Sequence, residues 1–434
     1  METIKDKDHI ECALSDTDLF TPAFVQSDIE SCTFEDVYPL TKLEDSGPVE
    51  FVIKNSTDKF IDFVSTYLRL KVRLVKSDGT AHAETENKAS FVNYPIASIF
   101  NQLDVYLGGT LITSSSNTYA FRSIIETILN YGSDAKKSQL EMGLFTKDTA
   151  AHLDETDPGK ENTGLALRNN YTKNSKVVEL IGRLHTDLCN QGRLILNGLP
   201  IRLVFHRSKD AFSILASANQ PRVKIVDAVL CVRKVQLTYH RFSEIQQKLE
   251  KDVICYPINR VLLKTHSIAA GLTSLNWDNM ILGQLPNRIF LGMVDNDSYT
   301  GNYKKNPFNF KHFDVREIGV YVNGKTLSQP MKLNFNDDET LEGYRSLFTT
   351  TGKINRDEGL DLTRRDYAKG YSLFGFDLSP ALCSGPHQEP MKEGSLRITL
   401  EFANALPNTI TVLVYSEFDN TIKINKVRSV LKDY

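Results

Sequence analysis

The sequence predicts an all-β chain of two tandem antiparallel β-sandwich domains with short inserted helices. Three observations carry this. Apolar and polar residues alternate at the period of strands over most of the chain. The second half repeats motifs of the first in the same order. Finally, 434 residues exceed the roughly 250 to 300 over which a single hydrophobic core keeps growing, so two cores of ordinary size are expected. A hydrophobic content of 41% supplies apolar material for both, and 24% charged residues is the balance of a soluble globular protein rather than a fibre.

The repeat begins with Gln102-Leu103-Asp104-Val105-Tyr106-Leu107-Gly108-Gly109-Thr110-Leu111 and Glu317-Ile318-Gly319-Val320-Tyr321-Val322-Asn323-Gly324-Lys325-Thr326. Each reads as a strand entering a two-residue Gly-Gly or Asn-Gly turn, which is a strong hairpin signal. An aromatic-Arg-Ser-aliphatic tetrad follows each, Phe121-Arg122-Ser123-Ile124 and Tyr344-Arg345-Ser346-Leu347. His185-Thr186-Asp187-Leu188 then matches Phe376-Asp377-Leu378, and Ile201-Arg202-Leu203-Val204-Phe205 matches Leu396-Arg397-Ile398-Thr399-Leu400. The offsets of 215, 223, 190 and 195 describe a duplicated domain with unequal loops.

Taken in order, residues 1–48 are expected to form an acidic N-terminal arm. Residues 1–45 hold twelve Asp or Glu against three Lys or Arg, a balance of −9 that leaves +6 for the rest of a chain whose net charge is −3. Such an arm is either a solvated tail or docks on a basic surface, and it has the wrong sign for gripping phosphates. The apolar spots Leu19-Phe20 and Phe24-Val25 argue that part of it packs on something.

The first domain is placed at 49–245 and the second, with a basic C-terminal tail, at 246–434. Leu68, Leu70, Val72 and Leu74 alternate with Arg69, Lys71 and Arg73, as do Leu396, Ile398, Leu400 and Phe402 with Arg397, Thr399 and Glu401. Each pattern sets one strand face in a core and one in water. Thr409 to Tyr415 is β-branched and aromatic, as strands prefer. Helices are expected at Tyr119 to Leu129, a stripe of Phe121, Ile124, Ile125, Ile128 and Leu129 closed by Gly132, and at Phe242 to Leu249 between the halves. The polar stretches Ser77 to Ser90, Lys147 to Lys176, Asp295 to His312 and Lys353 to Gly370 read as long loops. Two antiparallel domains with an inserted helix and large loops at one end describe a pair of jelly rolls.

No window reaches the roughly eighteen apolar residues of a membrane helix, and the first residues lack the apolar run of a secretory signal, so a soluble cytosolic product is expected. Cys12, Cys32, Cys189, Cys231, Cys255 and Cys383 are scattered without a Cys-x-x-Cys pair, which suits reduced, mostly buried thiols. The Asn-x-Ser/Thr sites at Asn55, Asn170 and Asn296 would then be silent.

Catalytic signatures are absent: there is no phosphate-cradling Gly-rich loop ending in Lys-Ser/Thr, no Gly-x-Ser-x-Gly elbow and no His-Glu-x-x-His helix. His185 and His206 would need tertiary proximity to share a metal, and ordinary strand or loop roles suit them better. Asn336-Asp337-Asp338-Glu339 lacks the spacing of a calcium loop and reads as a solvated turn. Trp277 alone is a weak sugar platform. Lys423, Lys426, Arg428 and Lys432 offer at most weak, sequence-blind attraction to phosphate. The chain is therefore expected to be no enzyme, and no catalytic, cofactor or metal residue is assigned.

The runs Phe100-Asn101-Gln102-Leu103-Asp104-Val105-Tyr106, Gly182-Arg183-Leu184-His185-Thr186-Asp187-Leu188, Asn287-Arg288-Ile289-Phe290-Leu291-Gly292, Phe374-Gly375-Phe376-Asp377-Leu378 and Val414-Tyr415-Ser416-Glu417-Phe418-Asp419-Asn420 resemble the major capsid proteins of Polinton (Maverick) elements and adintovirus-like viruses. The resemblance is collinear from about Phe51 to Tyr434 and weakest in the acidic arm. It implies a double jelly-roll capsid protein, similar in plan to the adenovirus hexon and to capsid proteins of virophages and large DNA viruses. Three chains would close into a pseudo-hexameric homotrimer that paves an icosahedral shell around double-stranded DNA. The resemblance further implies neighbouring capsomers, a single jelly-roll penton protein and minor capsid proteins as partners. It implies at most weak contact with packaged DNA, residence in the virion and assembly in the nucleus of the infected host cell. In this reading Arg122 and Arg345 would make equivalent contacts in the two barrels, either satisfied locally or between subunits. The alternative is a carbohydrate-binding tandem β-sandwich protein, with a metal-dependent jelly-roll enzyme third.

Overall fold

The computed structural model describes residues 15–43, 47–54, 56–82, 89–218, 220–327, 329–380 and 388–434. Cys12, Cys383, Asn55 and the first fourteen residues of the expected arm lie outside the described residues.

The first half supplies β1 (Ile29–Val37), β2 (Val49–Ile53), β3 (Lys59–Val75), β4 (Ala89–Phe91), β5 (Phe100–Leu107), β6 (Thr110–Leu111), β7 (Val178–Arg183), β8 (Ile201–Arg207), β9 (Ile214–Ala216) and β10 (Arg222–Leu237). The second supplies β11 (Ile254–Ile268), β12 (Ser274–Gln284), β13 (Arg288–Asp295), β14 (Val315–Val322), β15 (Lys325–Thr326), β16 (Met331–Lys332), β17 (Leu373–Asp377), β18 (Glu393–Phe402), β19 (Ile410–Ile424) and β20 (Val430–Lys432). Four longer helices are α1 (Tyr119–Asn130), α2 (Thr163–Thr172), α3 (Tyr239–Leu249) and α4 (Leu341–Thr350).

These strands build two jelly rolls. In the first half one sheet runs β1-β10-β3-β7 and the facing one β2-β8-β5-β6. In the second half the orders are β11-β19-β13-β17 and β12-β18-β14-β15. The eight positions correspond one to one and every pairing is antiparallel. Three of the four sequence echoes land on equivalent elements, the β5–β6 and β14–β15 hairpins, α1 and α4, and β8 and β18; in the third, Asp187 lies in a helical turn just past β7 whereas Asp377 ends β17 itself.

Both hairpin turns have two positive φ values, +54° and +84° at Gly108 and Gly109, +51° and +77° at Asn323 and Gly324. That geometry matches the twist of the flanking strands and explains the Gly-Gly and Asn-Gly pairs. The alternating strands bury their apolar face: Leu68, Leu70, Val72 and Leu74, and Leu396, Ile398 and Leu400, are all inside.

Three expectations change. Residues 29–37, read as part of the arm, form β1 and pair along β10, in the position that β11 holds in the second half. The polar stretch 147–176 contains α2, which begins where the Asn162 side chain accepts a hydrogen bond from the Leu165 amide and which buries Leu165 and Arg168. Short helical turns at Asn296–Thr300 and Arg364–Tyr367, the latter closed by a Thr363–Asp366 capping box, likewise interrupt the stretches 295–312 and 353–370. Caps and short amphipathic turns are local chemistry that composition alone does not reveal.

Candidate functional site

The described residues gather no catalytic centre, and the features that join parts of the molecule are its seam, its loop end and its exposed faces. At the middle of the seam α1 is buried along almost its whole length. Its own sheet covers one side. The second half covers the other, through Phe121 stacked on Tyr299 at 5.5 Å and edge-on to Phe308 at 5.8 Å.

Below these rings lies a buried ion network. Arg122 meets Glu126 at 2.7 Å and Asp187 at 2.8 Å, and His185 Nδ1 lies 2.8 Å from Glu126. A carboxylate only accepts, so Nδ1 donates and Nε2 is left to accept from the Tyr94 hydroxyl 3.2 Å away. Two second-half groups complete it: the Tyr415 hydroxyl donates to Glu126 at 3.4 Å, and the Val261 amide donates to Asp187 at 3.1 Å. Burial would raise the Glu126 carboxyl, but the Arg122 charge and the His185 hydrogen bond outweigh it and hold it at about 2. Burial lowers the His185 imidazole against the pull of Glu126, and raises the Asp187 carboxyl against that of Arg122. The network thus holds an ionised Arg-Glu pair beside a neutral imidazole. It clamps the halves and offers no open cleft for chemistry.

At the loop end Arg168 is fully buried, donating to Asp148 at 2.6 Å and to the Phe91 and Thr146 carbonyls. Asp148 in turn accepts from Asn306 of the second half, and its carbonyl accepts from the Tyr371 hydroxyl. Lys147 pairs with Asp366 at 2.8 Å. Lys136 donates to the Ile128 and Leu360 carbonyls, and burial pulls its amine down to about 7. The long loops therefore interlock across the seam.

The duplication also repeats a surface triad. Arg202 lies over the Tyr106 ring at 5.2 Å and meets Glu50 at 2.5 Å; Arg397 lies over Tyr321 at 4.2 Å and meets Asp278 at 3.9 Å. Register explains it, since Tyr106 pairs with Arg202 and Tyr321 with Arg397.

The residues singled out from sequence are placed apart. His185 belongs to the seam, while His206 meets Asp104 at 3.0 Å on the β5–β8 face. Among the described residues no group of three or more His, Cys, Asp or Glu is placed to hold a metal ion. Within 336–339, Asp337 accepts from Asn334 and Asp338 pairs with Arg364, a turn closed by its own side chains. Trp277 is half-buried on β12 against His266. Asn170 is exposed on α2, and Asn296 accepts from Thr411. Cys189 and Cys231 are buried, Cys255 is half-buried and Cys32 is exposed. Of the C-terminal cations, Lys423 is exposed, Lys426 meets Glu250 at 3.5 Å on the surface, Arg428 is half-buried and donates to the Asn197 carbonyl, and Lys432 is exposed and donates to the Leu111 carbonyl. Arg122 and Arg345 are not equivalent, since Arg345 is exposed on α4. Glu126 and Arg168 went unnoticed in the sequence because nothing marks a charge as buried before its neighbours are known.

Two exposed features remain. Leu19, Phe20, Phe24 and Val25 are 80%, 94%, 102% and 84% exposed. A groove of about 540 Å³ opens where α3 crosses the ends of β10 and β11, with Phe60, Leu237, Ile245, Leu249 and Tyr256 among its walls.

No protein-family model matches the chain. An uncharacterised protein of Caenorhabditis elegans is 26% identical over 403 residues, covering 89% of this chain and 93% of the relative. Among solved structures the fold is similar to a chain of the Sputnik virophage, with a TM-score of 0.66, 13% identity and coverage of 98% of this chain and 93% of that one. It is also similar to the PBCV-1 virus capsid, with a TM-score of 0.62, 9% identity and coverage of 96% and 99%. The mavirus major capsid protein follows with a TM-score of 0.57, 12% identity and coverage of 100% and 97%. The fold is a double jelly roll.

Proposed function

We propose that this chain is a viral-type major capsid protein, a non-enzymatic structural subunit that assembles with copies of itself. The observation that carries the reading is the pair of matching eight-position jelly rolls in one chain, locked by a continuous seam and similar end to end to capsid chains. Two like barrels per chain, repeated by a threefold axis, give a six-cornered tile from three copies. In such a trimer the contact of the first barrel with the second within a chain is echoed by the second barrel with the first barrel of the next chain. The uncovered side of α4, with Leu341 and Arg345 exposed, is the face that echo would cover. On the edge strand β1, Glu30 suits it in charge, while Glu35 and Asp36 are already paired with Lys234 and Arg69.

The division falls at α3, with one unit from β1 to about residue 245 and the other over 246–434. The finer assignment is to the Polinton or adintovirus-like group, supported by the five collinear motifs and by a near full-length nematode relative. It brings a single jelly-roll penton protein, minor capsid proteins, an icosahedral shell around double-stranded DNA and assembly in the host nucleus. Contact with that DNA is weak at most, since the C-terminal segment offers only Lys423, Lys426, Arg428 and Lys432, of which Arg428 and Lys432 donate to carbonyls of the chain itself. A carbohydrate-binding role is not favoured, because Trp277 lies against His266 on a strand rather than on an open loop.

The test is the absolute mass of the purified protein by light scattering, with negative-stain imaging of the same sample. A stable mass near three times 49.0 kDa with six-cornered particles is expected. A chain that stays monomeric at high concentration would refute the reading.

A further inference from the structure

We propose that the acidic N-terminal arm is exchanged between copies, its Leu19-Phe20 and Phe24-Val25 pairs seating in the apolar groove beside α3 of a neighbouring chain. The inference rests on the self-assembly reading and names the contact that links the copies.

The first argument is the pairing of surfaces. Four large apolar side chains within seven residues stand at 80% exposure or more, whereas among the other described residues the exposed large apolar groups are scattered and only Tyr239, at 85%, reaches that exposure. Apolar groups so placed are expected to be covered in the working state. The groove is an apolar concavity of a size that receives a few large side chains.

Charge complementarity gives the second argument. Arg193, Arg241 and Lys248 rim the groove; Glu244 bridges Arg241 and Lys248, Asp252 is the acid among the lining residues, and Arg193, which donates to the Cys255 carbonyl, has no carboxylate beside it among the described residues. On the arm Asp16 and Asp18 precede the apolar pairs and Asp28 follows them, within a segment whose balance is −9.

The third argument concerns where the arm starts. Its last residue before β1, Asp28, accepts from the Thr238 amide at 2.9 Å and lies 3.6 Å from Arg241, so the arm leaves the body at the groove's own rim. Yet Leu19 to Val25 extend away and leave the groove open. A chain whose arm preferred its own groove would fill it there with no loss of translational freedom. An open groove and an outstretched arm on the same rim are the two halves of an exchange, which is a low-cost route to association. The twelve residues from 16 to 27 span up to about 40 Å when extended, enough to cross to an adjoining copy.

The groove carries its own reporter, the half-buried thiol of Cys255. Full-length chains bearing Ala23→Cys and Cys255→Ser are mixed with unmodified chains, allowed to assemble, mildly oxidised and digested. A disulfide joining residues 23 and 255 in that mixture can only bridge two copies. The expected result is this peptide pair by mass spectrometry, reduced at least tenfold when Phe20→Ser and Phe24→Ser are added to the same arm. Absence of the 23–255 pair from a sample whose light-scattering mass is that of an oligomer would overturn arm exchange and leave the self-assembly reading standing. A link that closes within diluted monomers of Ala23→Cys with Cys255 intact would assign the groove to the chain's own arm and equally overturn it. A monomer at every concentration would remove both readings.

Discussion

Helices α1 and α4 occupy the same position in the two jelly rolls and carry the same aromatic-Arg-Ser-aliphatic tetrad, yet their arginines live in opposite worlds. Arg122 is held between Glu126 and Asp187 inside the seam, while Arg345 stands in solvent. The difference is in what covers the helix. Around α1 the second half supplies Tyr299, Phe308, Val261 and Tyr415. Around α4 the partners come from its own half: the Tyr344 hydroxyl donates to the Leu362 carbonyl, and Ser346 accepts from the Gly375 amide. Duplication fixes the barrel and its helix, whereas the surroundings decide whether a given charge becomes structural.

The largest test of this contrast is to remove each arginine. Arg122→Ala leaves Glu126 and Asp187 buried without their cation, which costs roughly 3–5 kcal/mol of stability. Arg345→Ala should stay within about 0.5 kcal/mol as a surface change. Urea unfolding monitored by circular dichroism, with the slope checked for constancy, measures both. A large loss at Arg345 in the isolated chain would show that the two helices are equivalent after all. Arg345→Glu should leave the single chain folded and shift the light-scattering mass towards the monomer, if α4 meets the next copy.

Acid separates the same two helices. The folded His185 imidazole sits below its ordinary value of 6.5, so the fold favours its neutral form, and that contribution is present above pH 6.5 and lost as the pH falls below it. Glu126, held at about 2 against an ordinary 4.5, contributes above pH 4.5 and loses its share between 4.5 and 2, on the order of 3 kcal/mol. Asp187 has the opposite sign. Its raised carboxyl favours protonation in the fold and so opposes the loss at Glu126 as the pH falls. Hydrogen exchange at pH 7, 5.5 and 4 should therefore show α1 losing protection well before α4. Equal loss in both would mean that the seam network is not what holds α1.

This contrast also marks how far the sequence could be read. Strand alternation at Leu68 to Leu74 and Leu396 to Phe402, the two hairpin turns and the α1 stripe are local patterns, and each lies where the chain's own periodicity places it. The order of four echoes correctly paired β5 with β14, α1 with α4 and β8 with β18. What escaped was set by distant neighbours. Residues 29–37 look like part of an acidic tail because five of their nine positions are polar or charged, and only pairing with β10 makes them a strand. Likewise Arg122 and Arg345 are indistinguishable until the second half closes over one of them.

A middle-sized effect is expected at the hairpin tips. Gly108 and Asn323 hold equivalent left-handed positions, at φ +54° and +51°. A Cβ on Gly108 would meet the Arg428 carbonyl at 3.3 Å and Leu199 at 3.4 Å, because the C-terminal segment lies over this turn. Asn tolerates the backbone angle, so Gly108→Asn isolates the crowding, and a loss of about 1–3 kcal/mol is expected. The reciprocal Asn323→Gly gives up one hydrogen bond, from the Ser395 amide, and should cost about 1 kcal/mol or less. Thermal unfolding of the two variants compares them directly. Equal losses would show that the tail does not press on the first hairpin.

The smallest effect is expected where the halves agree. Glu50, Arg202 and Tyr106 repeat as Asp278, Arg397 and Tyr321 on the corresponding β2/β12, β8/β18 and β5/β14 faces. Arg202 is exposed and Arg397 half-buried with a 3.9 Å ion pair, so each ring and carboxylate contact is weak and screened by salt. Arg202→Ala and Arg397→Ala should each lower the melting temperature slightly, by similar amounts, and less at 1 M salt than at low salt. Arg397 has the closer ring and the longer ion pair, so its loss should be the less salt-sensitive of the two. A difference between them as large as that between Arg122 and Arg345 would place asymmetry in the sheets themselves. Matching small losses would confine it to the seam, where one barrel has a neighbour in its own chain and the other waits for the next copy.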